Sequence, residues 1–226
     1  MMTDMVGPEE RLTIPVGDGS VSGAYARPAG AVATIVVAHG AGAGMDHPFL
    51  VGFTRAINEE GVATLRFNFP YMEAGRRSPD RAPVAIETWR AASDEAARRA
   101  DSSEPIWASG KSFGGRMASM AVADGMASAG LVFLGYPLHA PGKFDALRDE
   151  HLYGIEAPML FLHGTRDAFA DPELLAAVIA KLGDRATLVE FEGADHSFNV
   201  RGQKRDPREV GASLAARAAA FIQEHA

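Results

Sequence analysis

The sequence predicts an α/β fold, a mostly parallel, twisted sheet of about eight strands with helices on both faces and minimal or no lid. Two observations lead to this prediction. Short, nearly continuous apolar segments alternate with longer segments whose apolar residues recur at helical spacing. The 226 residues also show no internal repeat and no linker-like change in composition. We therefore expect a single domain spanning residues 1–226, with residues 1–10 as a flexible N-terminus.

The first predicted element is a hairpin, because strand-like segments at 11–16 and 21–27 flank the turn sequence Gly-Asp-Gly-Ser. An apolar strand at 33–38 and a helix at 48–60, closed by Gly61, follow it. The alternation then continues to the end of the chain. Further strands are predicted at 63–69, 105–109, 131–136, 159–163 and 187–192. Further helices are predicted at 84–100, from about Gly114, after Asp171-Pro172-Glu173, and at 207–225.

The composition argues against several classes of protein. The chain has no cysteine, which removes disulfides, thiolate metal sites and a cysteine nucleophile. Its net charge of −7 and the lack of a basic stripe disfavour nucleic-acid binding. The first ten residues carry acids where a signal peptide has basic and apolar residues, and no apolar run approaches the roughly 18 residues of a membrane span. We therefore expect a cytoplasmic protein with no membrane or nucleic-acid partner.

Chemistry in such a sheet belongs at the carboxyl ends of the strands. Four predicted strands end in segments that combine glycine with histidine, serine or acidic residues. These segments are HGAGAG (39–44), GKSFGG (110–115), HGTRD (163–167) and GADHSF (193–198). Because parallel strands end at one edge, we expect the four segments to meet there.

The segment Gly110-Lys111-Ser112-Phe113-Gly114 matches the pattern G-x-S-x-G between a predicted strand and a predicted helix. In that context the pattern is typical of a nucleophile elbow, a turn so tight that the flanking glycines cannot carry side chains. The pentapeptide alone is a weak signal, because glycine and serine are common in turns. The apolar strand before it and the small-residue helix after it favour the catalytic interpretation.

A serine hydroxyl needs a base to remove its proton and an acid to orient that base. Ser112, Asp167 and His196 occur in the chain order of this architecture, each just after a predicted strand. We therefore predict that they form a catalytic triad. Asp171, which is better explained as a helix cap, and Asp195, which neighbours the base in sequence, are alternative acids.

A tetrahedral intermediate requires two N–H donors for its oxyanion. The residue after the nucleophile, Phe113, supplies one. The glycine-rich loop after the third strand supplies the other, with Ala41 as the first choice and Gly40 and Gly42 as alternatives.

Three other features have simpler explanations. A phosphate-binding loop ending at Gly110-Lys111-Ser112 would need a glycine where the chain has Pro105. His39 and His163 are interpreted as polar residues that satisfy backbone groups at strand ends. A metal site built from Asp46, His47, His163, Asp167 and Asp195-His196 lacks the usual ligand spacing. We expect no metal and no cofactor.

With these residues, the chain resembles the α/β-hydrolase superfamily, near its compact dienelactone-hydrolase-like members. The resemblance extends from about Ala33 to Phe221. It includes HGAGAGMDHP (39–48), RFNFPYME (66–73), GKSFGGRMA (110–118), FLGYPLH (133–139) and GADHSF (193–198). These longer segments look like a branch that includes bacterial predicted hydrolases, a testis-expressed protein and a subunit of a chromatin acetyltransferase complex.

The resemblance implies Ser112 as nucleophile, Asp167 as acid and His196 as base. Dienelactone hydrolase itself has cysteine where this chain has Ser112, so its lactone substrate is not carried over. We expect a serine hydrolase that cleaves a carboxylic ester, thioester or lactone of a small acyl substrate. The alternative is a non-catalytic interaction or scaffold protein that retains the fold.

Few residues are available for a lid, because the longest irregular stretch at the strand ends is 136–157. Lys111, His139 and Arg76 are candidate substrate-binding residues. Arg76 belongs to a basic loop, which favours a carboxylate-bearing ester, although a solvated loop in an acidic protein explains the same charges equally well.

Overall fold

The computed structural model describes residues 8–226, so most of the N-terminal segment 1–10 lies outside the described residues. The strands form one eight-stranded sheet with the order β1-β2-β4-β3-β5-β6-β7-β8. The strands are β1 Glu10–Val16, β2 Gly19–Ala26, β3 Ala33–Ala38, β4 Val62–Phe67, β5 Ile106–Lys111, β6 Leu131–Leu134, β7 Met159–Gly164 and β8 Ala186–Phe191. The hairpin partner β2 also pairs antiparallel with β4, while all other pairings are parallel. The predicted α/β fold is confirmed.

Helices occupy most of the connections between parallel strands. They are α1 Pro48–Glu59, α2 Pro70–Glu73, α3 Ala82–Arg99, α4 Phe113–Ala123, α5 Pro172–Leu182, α6 Pro207–Ala212 and α7 Ala215–Glu224. Several begin as the sequence predicts: Asp171 and Asp206 each accept backbone N–H bonds at a helix start followed by proline. In residues 8–226, no helix is both long and apolar enough to cross a membrane.

The sheet separates two hydrophobic layers. One layer packs Leu65, Phe133 and Phe161 against α3, α4 and α5. The other packs Ile35 and Val132 against α1, α6 and α7. Successive residues of a strand point to opposite faces, so strands buried on both faces are mostly apolar. The strands β3 to β7 are buried almost along their full length for this reason.

The predicted single helix at 207–225 is wrong, because the structure divides it into α6 and α7. The Ser213 hydroxyl donates to the carbonyl of Val210 (2.7 Å), and the Leu214 N–H donates to Gly211 (3.2 Å), which tightens the turn between the helices. Gly211 also lies so close to α1 that a Cβ there would be 1.9 Å from the carbonyl oxygen of Phe49. A tertiary contact therefore bends a segment with helical periodicity.

Two stretches that the sequence predicts to be irregular contain short helices. The loop after β4 begins with α2, and the stretch between β6 and β7 contains a 3₁₀ helix at Glu150–Gly154. Neither element is long enough to form a separate lid domain. The carboxyl edge of the sheet is therefore left open above β3, β5 and β8.

Candidate active site

Ser112 lies at the sharp turn between β5 and α4, with φ of 49° and ψ of −113°. A positive φ is unfavourable for a residue with a Cβ and marks stored strain. Both flanking glycines are required by packing. A Cβ on Gly110 would lie 2.4 Å from the N atom of Gly115, and one on Gly114 would lie 2.6 Å from the carbonyl oxygen of His39. The turn therefore has the geometry that the G-x-S-x-G pattern predicts.

The loops after β7 and β8 bring Asp167 and His196 to this turn. The Nε2 atom of His196 lies 2.8 Å from Ser112 Oγ, and its Nδ1 atom lies 2.7 Å from Asp167 Oδ2. Asp167 is only 4% exposed, and its other carboxylate oxygen accepts the N–H of Phe169 at 2.7 Å. The three side chains thus form an unbroken hydrogen-bonded chain from a carboxylate to a hydroxyl.

The two alternative acids hydrogen bond elsewhere. Asp171 accepts the N–H groups of Glu173 and Leu174 at the start of α5. Asp195 accepts the N–H groups of Ser197 and Asn199, within its own loop. Both carboxylates therefore cap local backbone turns.

The electrostatic surroundings favour a neutral imidazole at His196. Burial lowers the pKa of His196 below its ordinary value, and the hydrogen bond that its Nδ1–H donates to Asp167 opposes this shift only in part. The positive charge of Lys111 lowers the same pKa further, while the charges of Asp167 and Asp195 raise it. An imidazole that is neutral near pH 7 is able to accept a proton, which is what a general base must do.

The glycine-rich loop after β3 lies directly beside the serine. A Cβ on Gly40 would be 3.8 Å from the Cβ of Ser112. Within residues 8–226, the backbone N–H groups of Ala41 and Phe113 donate to no protein acceptor. An oxyanion hole requires two such unused donors on adjoining backbone segments.

Side chains from the segment after β4 hold this loop in place. The hydroxyl of Tyr71 accepts the N–H of Gly42 (3.2 Å) and donates to the carbonyl of Gly40 (3.4 Å). Asn68 accepts the N–H of Met45 at 2.8 Å. The sequence alone does not reveal these roles, although RFNFPYME is one of the segments that carry the resemblance. Only the fold shows that this segment lies against the loop.

The serine opens into a cavity of about 500 Å³. One wall is apolar and comes from α1, α6 and the loop after β7. It consists of Phe49, Leu50, Pro207, Val210 and Phe169. Polar lining residues include His47, Asn199 and Lys111, and no carboxylate from residues 8–226 lines the cavity. Helices α1 and α6 meet backbone to backbone, since a Cβ on Gly52 would lie 2.0 Å from the carbonyl oxygen of Arg208.

The structure brings one of the three candidate substrate-binding residues, Lys111, to this cavity. His139 is 1% exposed, and its Nε2 accepts the N–H of Asp171, which holds the loop before α5. Arg76 is half-exposed, pairs with Asp80 at 2.6 Å and does not line the cavity. The geometry thus gives His139 a structural setting and leaves Arg76 outside the site.

The two histidines interpreted as structural are both buried. His39 Nε2 accepts the N–H of Phe69, as that interpretation expects. Neither ring nitrogen of His163 has a hydrogen-bond partner within residues 8–226, so the interpretation that this side chain satisfies a backbone group is wrong. In the same part of the chain, no group of three His, Asp or Glu side chains is arranged to hold a metal ion.

A family model described as an alpha/beta hydrolase domain matches residues 31–223. The chain belongs to the α/β-hydrolase family. The match covers all strands from β3 to β8 and every segment that forms the site. It therefore agrees with the resemblance to this superfamily that the sequence motifs indicate.

Solved structures share the fold of this α/β-hydrolase at low sequence identity. A dienelactone hydrolase from Anabaena variabilis is 19% identical, with a TM-score of 0.76 over 96% of this chain and 98% of that chain. A serine hydrolase without a lid from Xanthomonas campestris is 21% identical, with a TM-score of 0.73 over 94% of each chain. Est1E from Butyrivibrio proteoclasticus, solved with ferulic acid, is 16% identical, with a TM-score of 0.75 over 95% of this chain and 98% of that chain.

Proposed function

We propose that this α/β-hydrolase is a serine hydrolase that cleaves a carboxylic ester of a small acyl substrate. One observation carries the proposal: Ser112 Oγ, both ring nitrogens of His196 and Asp167 form a continuous hydrogen-bonded chain, with distances of 2.8 and 2.7 Å. Hydrolase and esterase relatives of the same fold give additional support. The same chemistry extends to a thioester or a lactone.

In the acylation step, His196 Nε2 removes the proton from Ser112 as Oγ attacks the carbonyl carbon of the ester. Asp167 accepts the Nδ1–H bond, which selects the tautomer with a free Nε2 and stabilises the imidazolium that forms. The negative charge on the carbonyl oxygen is accepted by the N–H groups of Ala41 and Phe113. The imidazolium then donates its proton to the leaving alcohol.

Deacylation repeats the sequence with water. His196 removes a proton from a water molecule, whose oxygen attacks the acyl carbon, and the proton returns to Ser112 as the acid is released. Phe169 packs against the imidazole, with ring centroids 4.4 Å apart, and narrows access to that side of the base. All groups that this reaction requires belong to the chain, so we propose no metal and no cofactor.

The cavity favours a neutral, compact substrate over the carboxylate-bearing ester that the basic loop suggests. Its apolar wall suits an alkyl or aromatic group. Lys111, the one lysine or arginine of residues 8–226 that lines the cavity, already donates to a backbone carbonyl. The tight α1–α6 contact limits the size of the group that fits. The cytoplasmic location stays a prediction from the sequence.

The proposal is tested by hydrolysis of short p-nitrophenyl esters and by covalent labelling with a fluorophosphonate. We expect both reactions for the native chain and neither for Ser112→Ala, with a loss in kcat of about 10⁶-fold. kcat/KM should rise with pH as His196 loses its proton. The midpoint of this rise should lie below the ordinary histidine pKa of about 6.5, because burial lowers the pKa of His196. A native chain that is neither active nor labelled would favour the scaffold alternative. Full turnover in Ser112→Ala would remove this serine from the mechanism.

A further inference from the structure

Lys111 occupies the second position of the elbow, immediately before the nucleophile, and its ammonium group is held inside the site. Nζ donates to the backbone carbonyl of His196 at 2.6 Å and lies 5.9 Å from the ring centroid of Phe198. The side-chain stem packs beside the glycine-rich loop, because a Cβ on Gly40 would be 3.4 Å from its Cγ. Burial lowers the pKa of Lys111 to about 8.

Burying an ammonium group costs free energy unless polar or charged groups compensate for the lost water. Within residues 8–226, Lys111 forms no ion pair within 4.0 Å. Its hydrogen bond is to the residue that carries the base, and the carboxylates that attract its charge are Asp167 and Asp195. The ammonium therefore interacts chiefly with the loops that hold the acid and the base.

We propose that Lys111 is a positioning residue for the base: its ammonium ties the backbone of His196 to the nucleophile elbow and maintains a positive charge beside the imidazole. This inference rests on the proposed function. The tie connects the residue next to the nucleophile with a residue 85 positions later, so it fixes the two partners of the Ser112–His196 hydrogen bond relative to each other. Small displacements of two such reacting groups lower kcat strongly.

The positive charge also favours the neutral form of His196. Of the charged groups that act on this imidazole, Asp167 and Asp195 raise its pKa, and Lys111 lowers it. His163 also lies close to this imidazole, and burial lowers the pKa of His163 as well. Removing the charge of Lys111 should therefore move the titration of His196 to higher pH.

The test compares three substitutions and reads His196 directly. Lys111→Arg retains a donor and a charge, Lys111→Gln retains a donor only, and Lys111→Met retains neither. The imidazole of His196 is titrated by NMR in each full-length protein, and kcat and KM are measured with a short p-nitrophenyl ester. Lys181→Met is the matched control, because Lys181 also lies over an aromatic ring, that of Tyr153, but does not line the cavity.

For Lys111→Met we expect kcat to fall by about ten- to hundredfold with little change in KM, and the His196 titration to move to higher pH. Lys111→Gln should show the same titration shift with a smaller loss in kcat. In Lys111→Arg, His196 should titrate at nearly the same pH as in the native protein. Lys181→Met should match the native protein in the His196 titration, kcat and KM. Should the methionine variant fail to fold, the glutamine variant decides, since its titration must still move.

An unchanged titration in folded Lys111→Gln and Lys111→Met would overturn the proposal. An increase in KM alone would also overturn it and would assign Lys111 to substrate binding. Failure of the proposed function is distinguishable, because it would appear as a native protein without hydrolysis or labelling, whereas the titration reports on Lys111 and His196 without turnover.

Discussion

The two halves of the site are constructed differently. The nucleophilic half consists of side chains that follow the ends of β5, β7 and β8, and each contributes its functional group directly. The glycine-rich loop after β3 contributes backbone N–H groups, and its conformation depends on Tyr71 and Asn68 from another segment. The nucleophilic half can be predicted from residue types at fixed positions in the sequence. The loop half is a backbone conformation that side chains of another segment stabilise.

This difference predicts different sensitivities. Loss of a side chain in the nucleophilic half removes a group that takes part in the reaction. Such a loss should lower kcat strongly while hardly changing the free energy of unfolding. Loss of a tether in the loop half only increases the freedom of a donor, so its effect is smaller. The packing of Gly114 against the end of β3 joins the two halves.

Among the three substitutions that compare the two halves, the largest effect is expected for Asp167→Asn, which tests the nucleophilic half. The amide would favour the tautomer of His196 that carries its proton on Nε2, so kcat should fall by about 10⁴-fold, as in the serine proteases. Asp171→Asn is the control, because asparagine caps a helix about as well as aspartate does, and its kcat should be close to native. Equal losses in the two variants would show that Asp167 has no special role.

An intermediate effect is expected for Gly114→Ala, which tests the contact between the halves. Its Cβ would lie 2.6 and 2.7 Å from the carbonyl oxygens of His39 and Ala38, so the elbow or the end of β3 must move. We expect a loss of about 1–3 kcal/mol in the free energy of unfolding, measured by urea denaturation. Gly154→Ala is the control, because a Cβ there meets nothing within 4 Å. A native-like stability for Gly114→Ala would show that the two halves are not tightly joined.

The smallest effect is expected for Tyr71→Phe, which tests the loop half. The substitution removes the hydroxyl that bonds Gly40 and Gly42 but keeps the ring. A net hydrogen-bond contribution of about 0.5–1.5 kcal/mol predicts a fall in kcat of up to about tenfold. Tyr153→Phe removes a hydroxyl bonded to Asp149 outside the cavity and should leave kcat unchanged. A loss as large as that of Asp167→Asn would contradict the proposed difference between the halves.

The sequence predicts the central strands well because β3 to β7 are largely buried on both faces and are therefore mostly apolar. β3 occurs where the apolar segment 33–38 predicts it, and the other strands differ by a few residues at their ends. Ser112, Asp167 and His196 are equally accessible from sequence, since strand ends, chain order and glycine spacing constrain them together. Their catalytic roles stay predictions, but their mutual distances are those that the roles require.

What the sequence does not reveal depends on contacts between residues far apart in the chain. The hydrogen bond of Lys111 spans 85 positions, and that between Tyr71 and Gly42 spans 29. The division of the C-terminal helix similarly depends on the approach of Gly211 to α1. No local periodicity in the sequence encodes these contacts, so they are visible only in the folded structure.

The positive φ of Ser112 also has a consequence for how mutation and selection act at this position. Glycine adopts such a backbone conformation without strain, so replacement of the serine by glycine would relax the turn. In a protein used only as a scaffold, selection would not act against replacement of Ser112 by glycine. In a hydrolase, natural selection must retain the less comfortable residue, and stability is given up where the chemistry occurs.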